Sequence, residues 1–223
     1  MNGFELLSDG EPVRLPLSVQ RLLALLACQE RPVQRVYVAG KLWIDASEER
    51  ASASLRSALW RANQAGVPLV RAFDSRLALH PVVHVDVNEA AAQARRIVDG
   101  TADDVSFAGF ALIGELLPDW YDDWLLIERE RYRQLQLHSL EALAHRLTGL
   151  ARYAEAAETA LTAIAAEPLR ESAHRVLIQV YRAEGNASEA LRHYDLFRRL
   201  LHDQLGLEPT AQLDELVAPL TRR

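Results

Sequence analysis

The sequence predicts a mainly α-helical protein with two domains, residues 1–86 and residues 87–223. Two observations support this. The first part places two short strands before three helical segments and two more strands after them. From residue 87 onward, every segment with regular apolar spacing repeats at about 3.6 residues, the period of a helix. We therefore expect a small mixed domain followed by an all-α domain.

The first domain opens with a predicted β-hairpin. Asp9-Gly10 lies between the segments Phe4–Leu7 and Pro12–Leu15, and an Asp-Gly pair in such a position is a strong hairpin signal. Apolar residues then recur at helical spacing over Ser18–Cys28. Pro32 follows this segment, so the first helix is expected to end before it.

Two more helices are predicted next. Val36–Trp43 has a helical pattern, which we expect Gly40 to interrupt. Ser47 is followed by two glutamates, which is typical of an N-cap with acidic residues in the first helical turn. The third helix should therefore begin after Ser47 and run to about Gln64.

A second β-hairpin closes the first domain. Leu69–Arg71 and Arg76–Leu79 are short strand-like segments on either side of an Asp74-Ser75 turn. Two strands, three helices and a hairpin, in this order, are typical of a winged helix-turn-helix. We therefore predict that fold for residues 1–86.

The second domain is predicted to be a series of helices. They cover residues 87–99, 122–147, 152–166, 170–184 and 187–205, and the first two are separated by a turn-rich segment with Gly100, Gly109, Gly114 and Pro118. Ala154–Ala156 and Ser188–Ala190 are similar at a spacing of 34 residues, the period of tetratricopeptide helix pairs. The domain is therefore predicted to be tetratricopeptide-like, with an irregular helical bundle as the alternative.

Composition and motifs argue against membrane, metal and catalytic functions. The chain of 223 residues is 49% hydrophobic, and its longest apolar run, Leu22–Cys28, is far shorter than the roughly 20 residues of a membrane span. No secretory leader opens the sequence, so we expect a cytoplasmic protein. One cysteine excludes an internal disulfide, and no metal, phosphate-loop or catalytic motif is present. The acidic segment Asp119–Trp124 could pair carboxylates for acid–base chemistry, but we interpret it as a helix start. We predict no catalytic residues, cofactor or metal.

The charge is unevenly distributed. The whole chain has a net charge of −6, but residues 87–223 hold twenty-two acidic and fifteen basic side chains. In the first domain, five arginines lie between Arg50 and Arg76, and Asp74 is the single acidic residue among them. This segment would attract an anionic partner. A simple solvated surface is the alternative interpretation.

The third helix carries most of the candidate functional residues. At about 100° per residue, Ala51, Leu55, Ala58, Leu59 and Ala62 share one side and should face the core. On and beside the opposite face, small side chains would let the backbone approach a major groove, while arginine, serine and glutamine can contact bases or phosphates. The candidate DNA-binding residues of this helix are Arg50, Ser54, Arg56, Ser57, Trp60, Arg61 and Gln64.

Three of the candidates leave alternatives open. Trp60 is a large indole opposite the core, and it either packs against the DNA backbone or is covered by another part of the chain. Arg71 and Arg76 flank the tip of the second hairpin, from which a cation can reach a minor groove or a phosphate. The alternative for both arginines is a solvated hairpin without a ligand.

Six segments, in the same order and with similar spacing, resemble the SARP family of actinobacterial antibiotic regulatory proteins. They are Leu17–Leu26, VAGKLW (Val38–Trp43), EERASASLRSALWRA (Glu48–Ala62), HVDV (His84–Val87), LLPDWYDDW (Leu116–Trp124) and GLEP (Gly206–Pro209). The resemblance implies a winged helix like that of OmpR-type response regulators, followed by a bacterial transcriptional activation domain.

By this resemblance, the protein is expected to activate transcription, in particular of secondary metabolism. Arg50–Gln64 would enter the major groove of double-stranded DNA at direct repeats, and Val70–Leu79 would be the wing. The second domain would mediate self-association and contact with RNA polymerase. Family members usually begin with one more strand, whereas here only Met1-Asn2-Gly3 precede Phe4, so either the N-terminal sheet is one strand short or the start codon lies upstream. Larger members append ATPase and sensor domains, which we do not expect here.

Two other functions are compatible with the sequence. A tetratricopeptide-type interaction protein could use its winged helix to bind a protein instead of DNA. A ligand-sensing repressor would share the DNA contact and differ only in the second domain. The basic third helix and hairpin favour the activator over the protein-binding module.

Overall fold

A computed structural model describes residues 3–29, 31–102 and 114–221. Helices account for most of these residues, and the strands lie in the first 80. The mainly α fold class is therefore confirmed. Contacts divide the chain into two compact units, Met1–Glu89 with Ile113–Arg131, and Ala90–Leu112 with Tyr132–Arg223. The domain boundary between residues 86 and 87 remains a prediction.

The N-terminal hairpin forms at the predicted turn. Strands β1 (Leu7–Ser8) and β2 (Glu11–Pro12) pair antiparallel around Asp9-Gly10, where both residues have positive φ. Each strand has only two residues, fewer than predicted. The apolar side chains of Phe4 and Leu6 instead pack against a core cluster that includes Val19 and Leu69.

Three helices follow: α1 (Leu17–Ala27), α2 (Arg35–Leu42) and α3 (Glu48–Asn63). The prediction that Gly40 interrupts α2 was wrong. Gly40 is exposed within a continuous helix, and a single glycine in a helix costs about 1 kcal/mol relative to alanine, which is too little to break it. Helix α3 has the predicted limits to within one residue.

The second hairpin belongs to a three-stranded sheet. Strands β4 (Val70–Phe73) and β5 (Arg76–Leu79) pair antiparallel, and β3 (Val33–Gln34) pairs with the other edge of β5. The sequence did not predict β3, because two residues between a proline and a helix show no period. The backbone N–H of Arg35 donates to the Ser75 carbonyl oxygen at 2.8 Å, which ties the start of α2 to the hairpin tip.

The core of the first unit is built on α1. The side chains of Leu22 and Leu25 on this helix are almost completely buried, and Leu77 of β5 is fully buried. The later segment of this unit is tied to α1 and the N-terminus: the carboxylate of Asp122 accepts from the guanidinium of Arg21, and the Trp120 and Phe4 rings stack with centroids 6.0 Å apart. The acidic segment is therefore used in packing and an ion pair.

The second unit is helical throughout the part that the structure describes. Two helices begin in the first unit and continue into the second: α4 (Asp86–Val98) and the long α5 (Asp123–Gly149). Four helices then follow within the second unit: α6 (Tyr153–Ala166), α7 (Glu171–Glu184), α8 (Ala187–Leu205) and α9 (Ala211–Thr221). The five predicted helices agree with α4–α8 to within about two residues, whereas α9 was not predicted. Gly109, which was assigned to a turn-rich segment, lies outside the described residues.

Consecutive helices pack together in this unit. Helix α7 contacts α6, α8 and α9, and α8 also contacts α9. Ala156 of α6 and Ala190 of α8 occupy equivalent positions in the 34-residue spacing, and both are fully buried. Small side chains at these points allow the helices to approach closely. Of the helices in the described ranges, none is long and apolar enough to cross a membrane.

Candidate nucleic-acid interface

Helix α3 is held in a defined rotation by its cap and its buried side. The Ser47 hydroxyl accepts from the Arg50 backbone N–H at 3.5 Å, and two glutamates occupy the first turn. The predicted inward stripe is almost completely buried at Ala51, Leu55, Ala58 and Ala62, while Leu59 is half-buried. The inward side therefore fixes which residues face outward.

The outward side of α3 carries the candidate residues. Ser54 is half-buried, and the Ser57 hydroxyl donates to the Ala53 carbonyl oxygen at 3.2 Å. The remaining members are exposed: Arg50, Arg56, Ser57, Trp60, Arg61 and Gln64. This surface combines cations, hydroxyls and an amide on one helix, which suits contacts with phosphates and base edges.

Trp60 lies on this outward side with 64% of its surface exposed. The described residues therefore leave most of the indole open to a partner. Arg56 lies one helical turn before it and Arg61 directly follows it. An exposed indole with arginines near it in the sequence can lie along a sugar–phosphate backbone or against an apolar protein surface.

The β4–β5 hairpin presents the other two candidate residues. Arg71 and Arg76 are both exposed, and the turn between their strands contains Asp74 with a φ of +45°. The guanidinium carbon of Arg71 lies 4.4 Å from the centroid of the Phe73 ring, an arrangement typical of a cation–π contact. The side chains are therefore displayed at the end of a short, paired hairpin.

The five candidate arginines keep their charge available. Arg50, Arg56, Arg61, Arg71 and Arg76 form no ion pair with any carboxylate in the described ranges. Other arginines of the chain are paired, as Arg21 is with Asp122. An anion near α3 or the hairpin would therefore meet cations that no neighbouring carboxylate neutralises.

Sequence reasoning missed an exposed surface at α2 and just after it. Val36, Tyr37 and Lys41 on α2 are exposed, as is Ile44 just beyond its end. Tyr37 and Lys41 are one helical turn apart, and the Lys41 ammonium lies 6.0 Å from the Tyr37 ring centroid. The signal was present in the sequence, since a second apolar stripe runs beside the one that Val38 and Leu42 bury. Gln34, which pairs with Arg76 across the sheet, was also missed.

The described residues offer little for metal or thiol chemistry. Among residues 3–29, 31–102 and 114–221, no three histidine, cysteine or acidic side chains cluster as a metal site. Burial, and secondarily the charge of Glu128, raises the pKa of Cys28 to about 12. The thiolate, which is the reactive form, is therefore scarce at neutral pH.

Comparisons with known proteins place the chain in a family. Residues 82–220 match the model of the bacterial transcriptional activator domain. The chain is 27% identical to the regulatory protein AfsR of Streptomyces griseus over 238 aligned positions, which cover 99% of this chain and 23% of AfsR. It is 33% identical to AfsR of Streptomyces coelicolor over 103 positions, which cover 46% of this chain and 10% of AfsR. The chain thus spans less than a quarter of the length of these relatives.

A solved structure has a similar fold. Mycobacterium tuberculosis EmbR, determined in complex with a low-affinity phosphopeptide, superposes with a TM-score of 0.70 over 98% of this chain and 63% of the EmbR chain. The sequence identity is 21%, so the likeness concerns the fold. It confirms a winged helix-turn-helix followed by a tetratricopeptide-like helical domain. Because the family model matches well over half of the residues, the chain belongs to the bacterial transcriptional activator domain family, and its predicted place among the SARP regulators is confirmed.

Proposed function

We propose that this chain is a sequence-specific DNA-binding activator that recognises direct repeats near promoters and recruits RNA polymerase, regulating secondary metabolism. The observation that carries the proposal is the exposed set of arginines on α3 and the β4–β5 hairpin, which form no ion pair with the carboxylates that the structure describes. The family membership supports a role in transcription. The proposed function needs no catalytic step, and the proposed location is the cytoplasm.

Helix α3 is proposed to lie in the major groove, which is about 12 Å wide and accepts one helix. Arg56 and Arg61 would read guanine or bind phosphate, and Arg50, near the start of the helix, would bind phosphate. Gln64, at the C-cap, can form paired hydrogen bonds with adenine. Ser54 and Ser57 would keep the helix close to the base edges because they are small.

The β4–β5 hairpin is proposed to contact the DNA beside the major-groove site. Arg71 and Arg76 would bind phosphates or enter the minor groove. Their proposed role is electrostatic positioning, whereas α3 would supply most of the base recognition. Each lost phosphate contact should lower the salt dependence of binding by about one unit of slope.

The second unit is proposed to bind proteins. Residues 87–223 carry an excess of acidic side chains, which would repel DNA and leave this part free for another copy of the chain and for RNA polymerase. Binding of two copies at a direct repeat would then place them in the same orientation on the DNA. Self-association and polymerase contact both belong to the proposal.

The proposal is tested by electrophoretic mobility shift with DNA from upstream of the gene and its neighbours. Binding is measured at two salt concentrations, with unrelated DNA as competitor. We expect discrete shifts that survive the competitor and weaken with salt. Arg182→Ala, which changes an exposed arginine of α7, is the matched control and should bind normally. The proposal would be contradicted if the folded protein bound the upstream DNA no more tightly than the competitor DNA.

A second candidate function is protein docking by the winged helix. The observation that favours it is the exposed apolar surface at Trp60 and at Ile44, which is 70% exposed. The same assay separates the two functions, since a docking module would show no discrete shift. Trp60→Ala would then abolish capture of the protein partner without affecting the fold.

A further inference from the structure

The outer face of the β4–β5 hairpin brings three side chains together. Arg71 and Phe73 are two residues apart on β4, and Phe73 is directly paired with Arg76 on β5. Strand residues two apart, and residues paired directly across a ladder, project to the same side. The opposite side faces the core through Leu77, which is fully buried. The hairpin therefore displays an aromatic ring between two arginines.

The ring of Phe73 contacts one of these arginines in a specific way. The guanidinium carbon of Arg71 lies 4.4 Å from the ring centroid, well inside the limit of about 6 Å for a cation–π contact. Phe73 is 37% exposed, and the hairpin residues that pack against the core cluster are instead Val70 and Leu79. Its place on the outer face is therefore explained by the arginine contact more directly than by core packing.

The contact with the ring is compatible with anion binding by the guanidinium. A guanidinium that meets a ring through one of its faces keeps its N–H donors free, because they lie in its plane and point outward. A phosphate binds in that plane. An arginine that is already held also loses less rotamer freedom when it binds, which increases affinity.

We propose that Phe73 is a positioning residue that holds the Arg71 guanidinium ready for a DNA phosphate. This inference rests on the proposed DNA-binding function and deepens it. Phe73 need not touch DNA itself. It acts by orienting Arg71, so its effect on binding should disappear when Arg71 is absent.

The test is a double-mutant cycle in the full chain. Wild-type protein first selects a duplex from a library of randomised sequence, and the affinity of each variant for that duplex is then measured over several salt concentrations. Phe73→Leu should weaken binding roughly two- to five-fold without changing the salt slope. Phe73→Tyr keeps the ring and should bind like wild type. Arg71→Ala should lower the slope by about one, and the double variant should match Arg71→Ala.

A second readout needs no DNA. In the free protein, the Hδ protons of Arg71 should show an upfield NMR ring-current shift in wild type and Phe73→Tyr, and lose it in Phe73→Leu. Thermal unfolding of each variant checks that the fold is kept. Absence of the shift in wild type would overturn the inference.

The outcomes separate this inference from the proposed function. If no duplex is selected, the DNA-binding function fails and Phe73 positioning fails with it. If a duplex is selected and Arg56→Ala weakens binding, the function stands. In that case, the positioning role alone would be overturned if Phe73→Leu lowered DNA affinity equally with and without Arg71. A loss of DNA affinity in Phe73→Tyr would overturn it as well.

Discussion

The Nδ1 atom of His174 lies 3.0 Å from the Nε2 atom of His193. The other ring nitrogen of His174 lies 2.9 Å from the carbonyl oxygen of Pro168. His174 is fully buried and its ring stacks on the Phe197 ring with the centroids 4.0 Å apart, which favours the neutral form of His174 at neutral pH. Because a carbonyl only accepts, the neutral His174 ring donates from Nε2 to Pro168 and accepts at Nδ1 from His193.

This pair predicts a loss of stability in mild acid. Burial lowers the pKa of both histidines. The pKa of His193 falls to about 4, because the positive charges of a protonated His174 and of Arg192 add to the effect of burial and the negative charge of Glu189 opposes them only in part. An unfolded histidine binds a proton near pH 6.5, so between about pH 6.5 and 4 the unfolded state holds more protons than the folded state. Stability should therefore be complete above pH 6.5 and decrease as the pH falls toward 4.

Urea unfolding of the wild-type chain and of His193→Gln checks this. Glutamine can still donate to His174 but does not titrate, so the unfolding midpoint of His193→Gln should vary less over that pH range than the midpoint of the wild type. His138→Gln, at an exposed position on α5, is the control and should behave like wild type. Parallel pH profiles for wild type and His193→Gln would rule out the histidine pair as the cause.

The ion pair between Arg21 and Asp122 should stabilise the first unit. Its side chains are 27% and 13% exposed, so removal of one partner leaves a largely buried charge. Asp122→Asn is expected to lower the free energy of unfolding by about 1–3 kcal/mol. For comparison, Arg192→Ala breaks a pair whose arginine is 69% exposed and screened by solvent, so it should cost clearly less than Asp122→Asn. Chemical denaturation measures both, and equal losses would contradict the assigned difference in burial.

The orientation of α3 can be tested through its apolar residues. Leu55 is 3% exposed, so Leu55→Ala should destabilise the protein by about 2–5 kcal/mol through lost contacts and a cavity. Leu59→Ala is the matched change at a half-buried position and should cost clearly less. Denaturant midpoints of the two variants make the comparison. A reversed order would mean that a different side of α3 faces the core.

Two glycines should respond to alanine in opposite directions. Gly40 is helical and exposed, with open space where a Cβ would lie, so Gly40→Ala should stabilise the protein by about 0.5–1 kcal/mol. Gly185 ends α7 with a φ of +86°, which alanine adopts poorly, so Gly185→Ala should destabilise by about 1 kcal/mol. Melting temperatures check both. Destabilisation by Gly40→Ala would argue against a continuous α2.

The arginines of α3 should matter for DNA binding. Arg56→Ala or Arg61→Ala is expected to cost roughly 1–3 kcal/mol at a cognate site if the side chain reads a base. Fluorescence anisotropy on labelled DNA measures the loss, with Arg182→Ala as the charge-matched control. Wild-type affinity in both Arg56→Ala and Arg61→Ala would remove α3 from the DNA interface.

Local sequence patterns were sufficient for most helices and for both hairpins. Ala187–Leu205 was predicted residue for residue, since an asparagine cap precedes it and Gly206 ends it. Strand β3 was missed because its two residues are defined only by pairing with β5. Helix α9 is short and contains Pro219, which weakens the helical signal.

The candidate site was only partly accessible to sequence reasoning. Helical periodicity identified the outward arginines of α3, because the inward alanines fix the rotation. The contact between Arg71 and Phe73 depends on side-chain placement in a strand, about which the sequence alone is silent. The pairing of His174 with His193 likewise requires two helices to pack together, and a separation of nineteen residues carries no periodic signal.

Under the proposed DNA-binding function, the hydrogen bond from the Arg35 N–H to the Ser75 carbonyl oxygen would limit which duplexes fit. It joins the hairpin tip to α2, and α2 in turn packs on α3. A DNA-binding unit with this linkage has a fixed distance between α3 and the hairpin tip, so a duplex must supply grooves of matching width. Stiff or flexible base steps between the contacts should then influence affinity even though no side chain touches them.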